Sequence, residues 1–324
     1  MSVVFRSILK DEIASFLDFF QLSMPAMKTL NAYQRTLSDF DSFLYMESLE
    51  EKRLDAGQIQ RWLDGFNIHP KTKISKLTHL NRFAGYLFTL GIQVSLPERP
   101  HVTTDFTPYV FTEDEMARIF ELADDLVLIN PKSRVAAEFP MLLRILYGCG
   151  LRLGEATALT WDHVNLDTGI ITIKVAKYQK QRTVPMAGEL TRTLRLYREA
   201  PCFEMQDHDF LFKTTDGRPR PIGTYWGVFD RILCELGIKN PQTVKYGARG
   251  PCIHSLRHTF TLRSFLKAES EGREFMETVP FLSTYLGHNA LMQTDIYLRA
   301  RYELYTASHA VIADYTRDVF PEDV

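Results

Sequence analysis

The chain has 324 residues, 45% of them hydrophobic and 24% charged, with 17 glycines and 15 prolines, which excludes collagenous or low-complexity character and leaves enough apolar mass for a core. At about 150 residues per domain the length predicts two domains. The 38 lysines and arginines against 40 acids give a formal net charge of -2, so no overall basicity advertises a nucleic-acid partner, but residues 174–182 carry four cations and no acid, and positive charge is local.

No run approaches the ~20 apolar residues of a membrane helix, since the longest, residues 141–146, is broken by Arg144. The N-terminus carries charges after a short apolar run and no small-residue cleavage site. The expectation is a cytoplasmic protein with no membrane partner. Cys149, Cys202, Cys234 and Cys252 form no CxxC pair, which predicts reduced thiols rather than zinc or disulfides.

The first hundred residues read as four helices, at 11–20, 25–45, 56–66 and 73–90. Tyr33, Leu37, Phe40 and Leu44 repeat at the spacing of one buried helical face, and Ile74, Leu77, Leu80, Ala84 and Leu87 stripe the fourth helix. Lys71, Lys73, Lys76 and Arg82 fall off that stripe, giving the fourth helix a basic side, and Gly91 stops it. Residues 97–108 hold three prolines without periodicity, so we place a linker at 96–109 between a helical unit, 1–95, and a second domain, 110–324. Thr112 followed by Glu113, Asp114 and Glu115 marks a helix start, and helix dominates to Tyr147. Ile171, Ile173 and Val175 alternate with polar residues as a strand does, and residues 183–186 can return as its partner in a small basic hairpin. Helical pattern resumes from Trp226 with breaks at Gly237, Gly250 and Gly287. The fold class is therefore mainly α, with a small antiparallel sheet inside a mostly helical second domain. Trp161, Trp226, Phe40 and Phe43 are assigned to the core.

Four segments stand out: YGCGLRLGEATALTWDHV at 147–164, AKYQKQRTVP at 176–185, HSLRHTF at 254–260 and YLGHNALMQTDIYLRA at 285–300. Singly, each has an ordinary reading: a capping arginine, a solvated hairpin lysine, a loop histidine, a half-buried tyrosine. In this order they resemble the tyrosine site-specific recombinase (phage integrase) family over nearly the whole chain. The resemblance implies a SAM-like core-binding domain at the N-terminus and a catalytic domain from about residue 110. It implies Arg152 as the first catalytic arginine, with Glu155 orienting a neighbour, and Lys177 as the hairpin lysine. His254 and Arg257 fill the His-x-x-Arg box, His288 follows in the LGH box, and Tyr297 is the nucleophile nine positions later. The glycine that often follows the hairpin lysine is absent, and Lys174 and Lys180 stand close enough to compete for its role. His254 and His258 have the i, i+4 spacing of an HExxH zinc motif, but Ser255 replaces its glutamate, so no metal is implied and His258 is read as a packing or supporting residue.

These residue types suit phosphodiester chemistry. Charge grows on the non-bridging oxygens toward the transition state, and arginines offer planar forks that stay protonated. A tyrosine nucleophile keeps the bond energy as an ester, so rejoining requires no ATP and no cofactor is implied. A lysine among other cations has a lowered pKa and can protonate the leaving oxygen. The partner is then double-stranded DNA, with Lys71, Lys73, Lys76, Arg82, Lys174, Lys180 and Arg182 as candidate contacts. The resemblance further implies a homotetramer on two DNA sites, a Holliday junction, and a C-terminal tail, striped by Val311, Ile312, Tyr315 and Val319, that docks on a neighbour. A DNA-binding relative without catalysis and a type IB topoisomerase are the competing readings.

Overall fold

The computed structural model describes residues 4–23, 27–100, 108–174, 181–200, 206–240 and 250–287. The chain divides into two compact units, Met1–Asp105 and Phe106–Val324. In the first, the apolar stripes read from the sequence close against one another as α1 (Lys10–Leu22), α2 (Met27–Met46), α3 (Ala56–Asp64) and α4 (Pro70–Thr89). Tyr33, Leu37, Phe40 and Leu44 of α2 and Leu77, Leu80, Ala84 and Leu87 of α4 are all buried. Local chemistry sets the helix starts. Asp55 and Gln58 exchange hydrogen bonds in a capping box at α3, and Pro70 opens α4, where the Lys71 amide donates to His69 Nδ1. Buried Asp41 accepts from the amides of Arg6 and Ser7 at 2.7 and 3.0 Å, tying the segment before α1 to α2.

The second unit runs α5 (Glu113–Ile129), α6 (Arg134–Cys149), α7 (Leu153–Thr157), a 3-10 turn (Trp161–His163), strands β1 (Val164–Asn165), β2 (Ile170–Lys174) and β3 (Gln181–Pro185), then α8 (Gly188–Glu199), α9 (Ile222–Glu235), α10 (Ser255–Ser270) and α11 (Phe275–Leu286). Thr112 caps α5 in a box with Glu115. The sheet is antiparallel in the order β1-β2-β3, with Ile171 opposite Val184 and Ile173 opposite Arg182. Helix α6 is the centre of the unit, carrying buried Phe139, Leu142, Leu143, Ile145 and Leu146 and packing on α5, α8 and α10. The same helix holds Glu138, fully buried, which accepts from Arg220 Nε at 2.6 Å, Tyr225 Oη at 2.8 Å and Arg134 Nε at 3.1 Å. A buried carboxylate is tolerable only with such partners.

Three expectations change. The helical run to Tyr147 is two helices, separated by a turn and capped at Ser133, whose hydroxyl accepts from the Ala136 amide. Helix α8 and the two-residue β1 were not expected. Trp226 is 52% exposed rather than core, because α9 turns Tyr225, Val228, Phe229 and Ile232 inward and leaves its indole on the other face, whereas Trp161 and Phe40 are buried and Phe43 is partly so. Among the described residues no helix is long and apolar enough to cross a membrane.

Candidate active site

The site is built where α6 ends. Gly150 stops the helix in the left-handed conformation, φ 60°, which a glycine adopts without the Cβ penalty. A Cβ there would also collide with the ring of Phe260. The turn places Arg152 at the cap of α7, one helical turn before Glu155. Glu155 is only 14% exposed, and its carboxylate is fully engaged. Oε1 accepts from Arg152 Nη1 at 2.8 Å and Arg182 Nη1 at 3.0 Å, while Oε2 accepts from the Arg152 amide at 2.9 Å and Arg182 Nη2 at 2.8 Å. Four donors fill the four lone-pair directions of a carboxylate. Burial alone raises the Glu155 pKa, but the Arg182 hydrogen bond, the Arg152 amide and the two guanidinium charges outweigh it and hold the group below its ordinary value.

Arg257 arrives from α10, which packs on α6. Its side chain is 3% exposed and its Nη1 lies 4.0 Å from Glu155 Oε2. Nη1 donates to Gly150 O at 2.8 Å and Nη2 to Leu286 O at 2.7 Å. The end of α11 is the third side of the site. Arg182 Nε donates to Tyr285 O at 2.8 Å, Arg152 Nη2 to Gly287 O at 3.1 Å, and Arg152 Nη1 to Leu286 O at 3.5 Å. Three arginines thus cap the carbonyl end of one helix, where cations are favoured. Three guanidiniums and one carboxylate meet here, and Arg152, 39% exposed, carries charge to the surface.

His254 precedes α10, exposed, with its ring edge-on to half-buried His258 at 4.8 Å between centroids and 85° between planes. It stands one turn from Arg257. Lys174 is exposed at the end of β2, and its charge adds to burial in lowering the pKa of His163. Lys177, Lys180, His288 and Tyr297 lie outside the described residues. In sequence, β2 ends at Lys174 and β3 begins at Gln181, on either side of both lysines, and Gly287, φ 65°, directly precedes His288.

Two candidate DNA contacts have internal partners in this structure. Arg182 is 10% exposed and spends its fork on Glu155 and its Nε on Tyr285, because it shares the inward face of β3 with Val184. That face was readable: Arg182 stands two residues before an apolar position in a strand. Lys76 is 15% exposed, donates to Asp39 at 2.6 Å and rests 4.4 Å from the Phe66 ring centre, so it serves the first unit. Lys73 is held 3.6 Å from Asp64. Lys71 and Arg82 are exposed, Arg82 lying 4.7 Å over the ring of Phe20. The carbonyl end of α11 had no signal in the sequence, since any residue supplies a carbonyl.

The model of the phage integrase family matches residues 109–303. The tyrosine recombinase XerC of Xanthomonas campestris is 25% identical over 292 residues, covering 87% of this chain and 82% of its own. Among solved structures, the XerH site-specific recombinase in a post-cleavage complex with palindromic difH substrate aligns with a TM-score of 0.65 at 20% identity, over 87% of this chain and 80% of that one. A lambda integrase dimer bound to a COC' core site aligns at 0.63 and 15% identity, over 89% of this chain and 94% of that one. These two solved structures share its fold.

Proposed function

Because the chain belongs to the phage integrase family, and so to the tyrosine recombinases that cleave and rejoin DNA, we propose that it is a site-specific recombinase acting through a 3'-phosphotyrosyl intermediate and a Holliday junction, in the integration or excision of a mobile element or phage. One observation carries the reading of the site: Arg152 and Arg257, from separate elements, both donate to a single oxygen, Leu286 O, at 3.5 and 2.7 Å. Two guanidiniums that converge on one acceptor are arranged as a phosphate oxygen requires.

In this reading Arg152 and Arg257 bind the non-bridging oxygens of the scissile phosphate. Tyr297 Oη attacks phosphorus, the bond to the 5' oxygen breaks, and Lys177 donates the proton that the leaving oxygen takes up. The tyrosine proton passes to a histidine, His254 or His288, or to the phosphate they contact. The products are a 3'-phosphotyrosyl ester and a free 5' hydroxyl. Attack by a partner strand's 5' hydroxyl reverses the step and frees Tyr297, so the bond energy is conserved and neither ATP nor a metal ion is required. The helical unit Met1–Asp105 supplies a second DNA contact, and four protomers act on two duplexes.

The test is a suicide duplex nicked near the cleavage site, taken from the junctions of the element that encodes the gene. Wild type is expected to form a covalent protein–DNA adduct on a denaturing gel, and Tyr297→Phe none. An adduct that persists in Tyr297→Phe refutes the nucleophile, and binding without any adduct refutes catalysis.

A further inference from the structure

We propose that Arg182 is a positioning residue for strand cleavage: it clasps Glu155 and the end of α11 so that Arg152, Arg257 and the turn leading to His288 are held in one arrangement, without touching DNA itself. The proposal rests on the reading of Arg152 and Arg257 as phosphate ligands.

The geometry is specific to a guanidinium. Nη1 and Nη2 take the two oxygens of Glu155 at 3.0 and 2.8 Å, and Nε takes Tyr285 O at 2.8 Å, three acceptors on two elements held by one planar fork. An ammonium is a point donor and cannot span both carboxylate oxygens and the carbonyl at once. Arg182 also supplies half of the donors to Glu155, and the remaining half come from Arg152 alone. Without Arg182 a carboxylate that is 14% exposed keeps two donors, and a further cation, Arg257, lies 4.0 Å away. Glu155 would then be drawn from Arg152 toward Arg257, and both phosphate ligands would shift.

The α11 side of the clasp is equally close. A Cβ on Gly287 would lie 2.9 Å from Arg182 Nη1 and 3.2 Å from Cζ, so the guanidinium lies against the turn that launches His288. Arg182 also stands one residue inside β3, five positions after Lys177, and opposite buried Ile173 in the register. One side chain therefore joins the start of β3, the support of the first arginine and the end of α11. Displacements of about 1 Å at such a site can cost on the order of 100-fold in rate.

The experiment measures single-turnover cleavage of the suicide duplex at saturating protein, with DNA affinity followed across salt concentrations, for wild type, Arg182→Ala, Arg182→Lys, Glu155→Gln and the Arg182→Ala/Glu155→Gln double variant. Wild type forming an adduct that Tyr297→Phe lacks is the reference, and its failure overturns the functional reading rather than the clasp. With the reference intact, Arg182→Ala is expected to cleave roughly 100-fold more slowly, in the rate constant and not in the fraction of competent protein, at unchanged affinity and salt slope. Arg182→Lys, which keeps the charge and packs its stem, is expected to remain at least roughly 10-fold slow, and it carries the test if the alanine variant does not fold. The double variant is expected to be no slower than the slower single one. Wild-type rates in Arg182→Ala, losses that multiply in the double variant, or weakened affinity with a salt slope lower by about one would each overturn the proposal, the last by making Arg182 a phosphate contact.

Discussion

Glu155 is an anion facing three arginines, and its ionisation is coupled to folding. Burial pushes its pKa up, but the Arg182 hydrogen bonds, the Arg152 amide and the charges of both arginines bring it below the ordinary glutamate value, with Arg257 facing it from α10. A carboxyl whose folded pKa is depressed contributes stability that is complete above its unfolded pKa and is lost as pH falls through the folded value. Glu155→Gln cannot titrate. Its deficit against wild type in urea unfolding, on the order of 3 kcal/mol near neutral pH, is therefore expected to shrink as pH drops below the ordinary glutamate range. A deficit constant with pH would show that the ionised carboxylate is not what stabilises the site. At this scale the sequence reveals residue types and little of direction. Arg152, Glu155 and Arg257 stand out in the sequence because their local spacings are tight. By sequence alone Arg182, a cation beside Lys174, Lys177 and Lys180, looks like one more surface charge, and its register with Val184 is what places it inside.

Among the elements, the turn between α6 and α7 is the least replaceable. Gly150 combines a left-handed backbone, contact with the Phe260 ring, and a carbonyl that accepts from Arg257. Gly150→Ala adds backbone strain to a clash with a ring that is itself stacked on Tyr285 at 5.6 Å, so a loss of roughly 2–4 kcal/mol is expected. Thermal unfolding measures it. Because the same carbonyl orients Arg257, cleavage is expected to fall well below the melting transition, and normal cleavage at that temperature would separate the turn from the chemistry. The elements legible beforehand were those with a stripe or a cap: α2 and α4 by their apolar spacing, α5 by Thr112 and its acids. Helix α8 carries a stripe too, Leu190, Leu194 and Tyr197 at i, i+4 and i+7, but only Leu194 is fully buried and five of its twelve residues are charged, so its composition hides the stripe. Strand β1, two residues long, has no period at all. Trp226 escaped for a different reason: aromatic residues are usually buried, and the face that α9 turns inward is chosen by Tyr225, Val228, Phe229 and Ile232.

Over the whole molecule, a formal net charge of -2 and a DNA substrate are reconciled by where cations are held. Many of them are spent internally: Arg220 and Arg134 on Glu138, Arg182 on Glu155, Arg144 on Asp124, Lys76 on Asp39. Affinity for phosphates depends on the cations left at the surface, because each phosphate neutralised releases counterions whatever the total charge. Lys71 and Lys76 sit five residues apart on α4 and differ in this respect. Lys71 is exposed, whereas Lys76 is 15% exposed, paired with Asp39 and laid against Phe66. Lys71→Ala is therefore expected to lower the slope of log affinity against log salt by about one and to leave thermal stability unchanged. Lys76→Ala is expected to do the reverse, keeping the slope and costing the first unit about 1 kcal/mol through the lost pair and ring contact. Fluorescence anisotropy with a labelled duplex at several salt concentrations, beside melting curves of both variants, reads the two effects separately. If both variants lower the slope equally, Lys76 leaves Asp39 when DNA binds, and exposure in the free protein does not select the contacts.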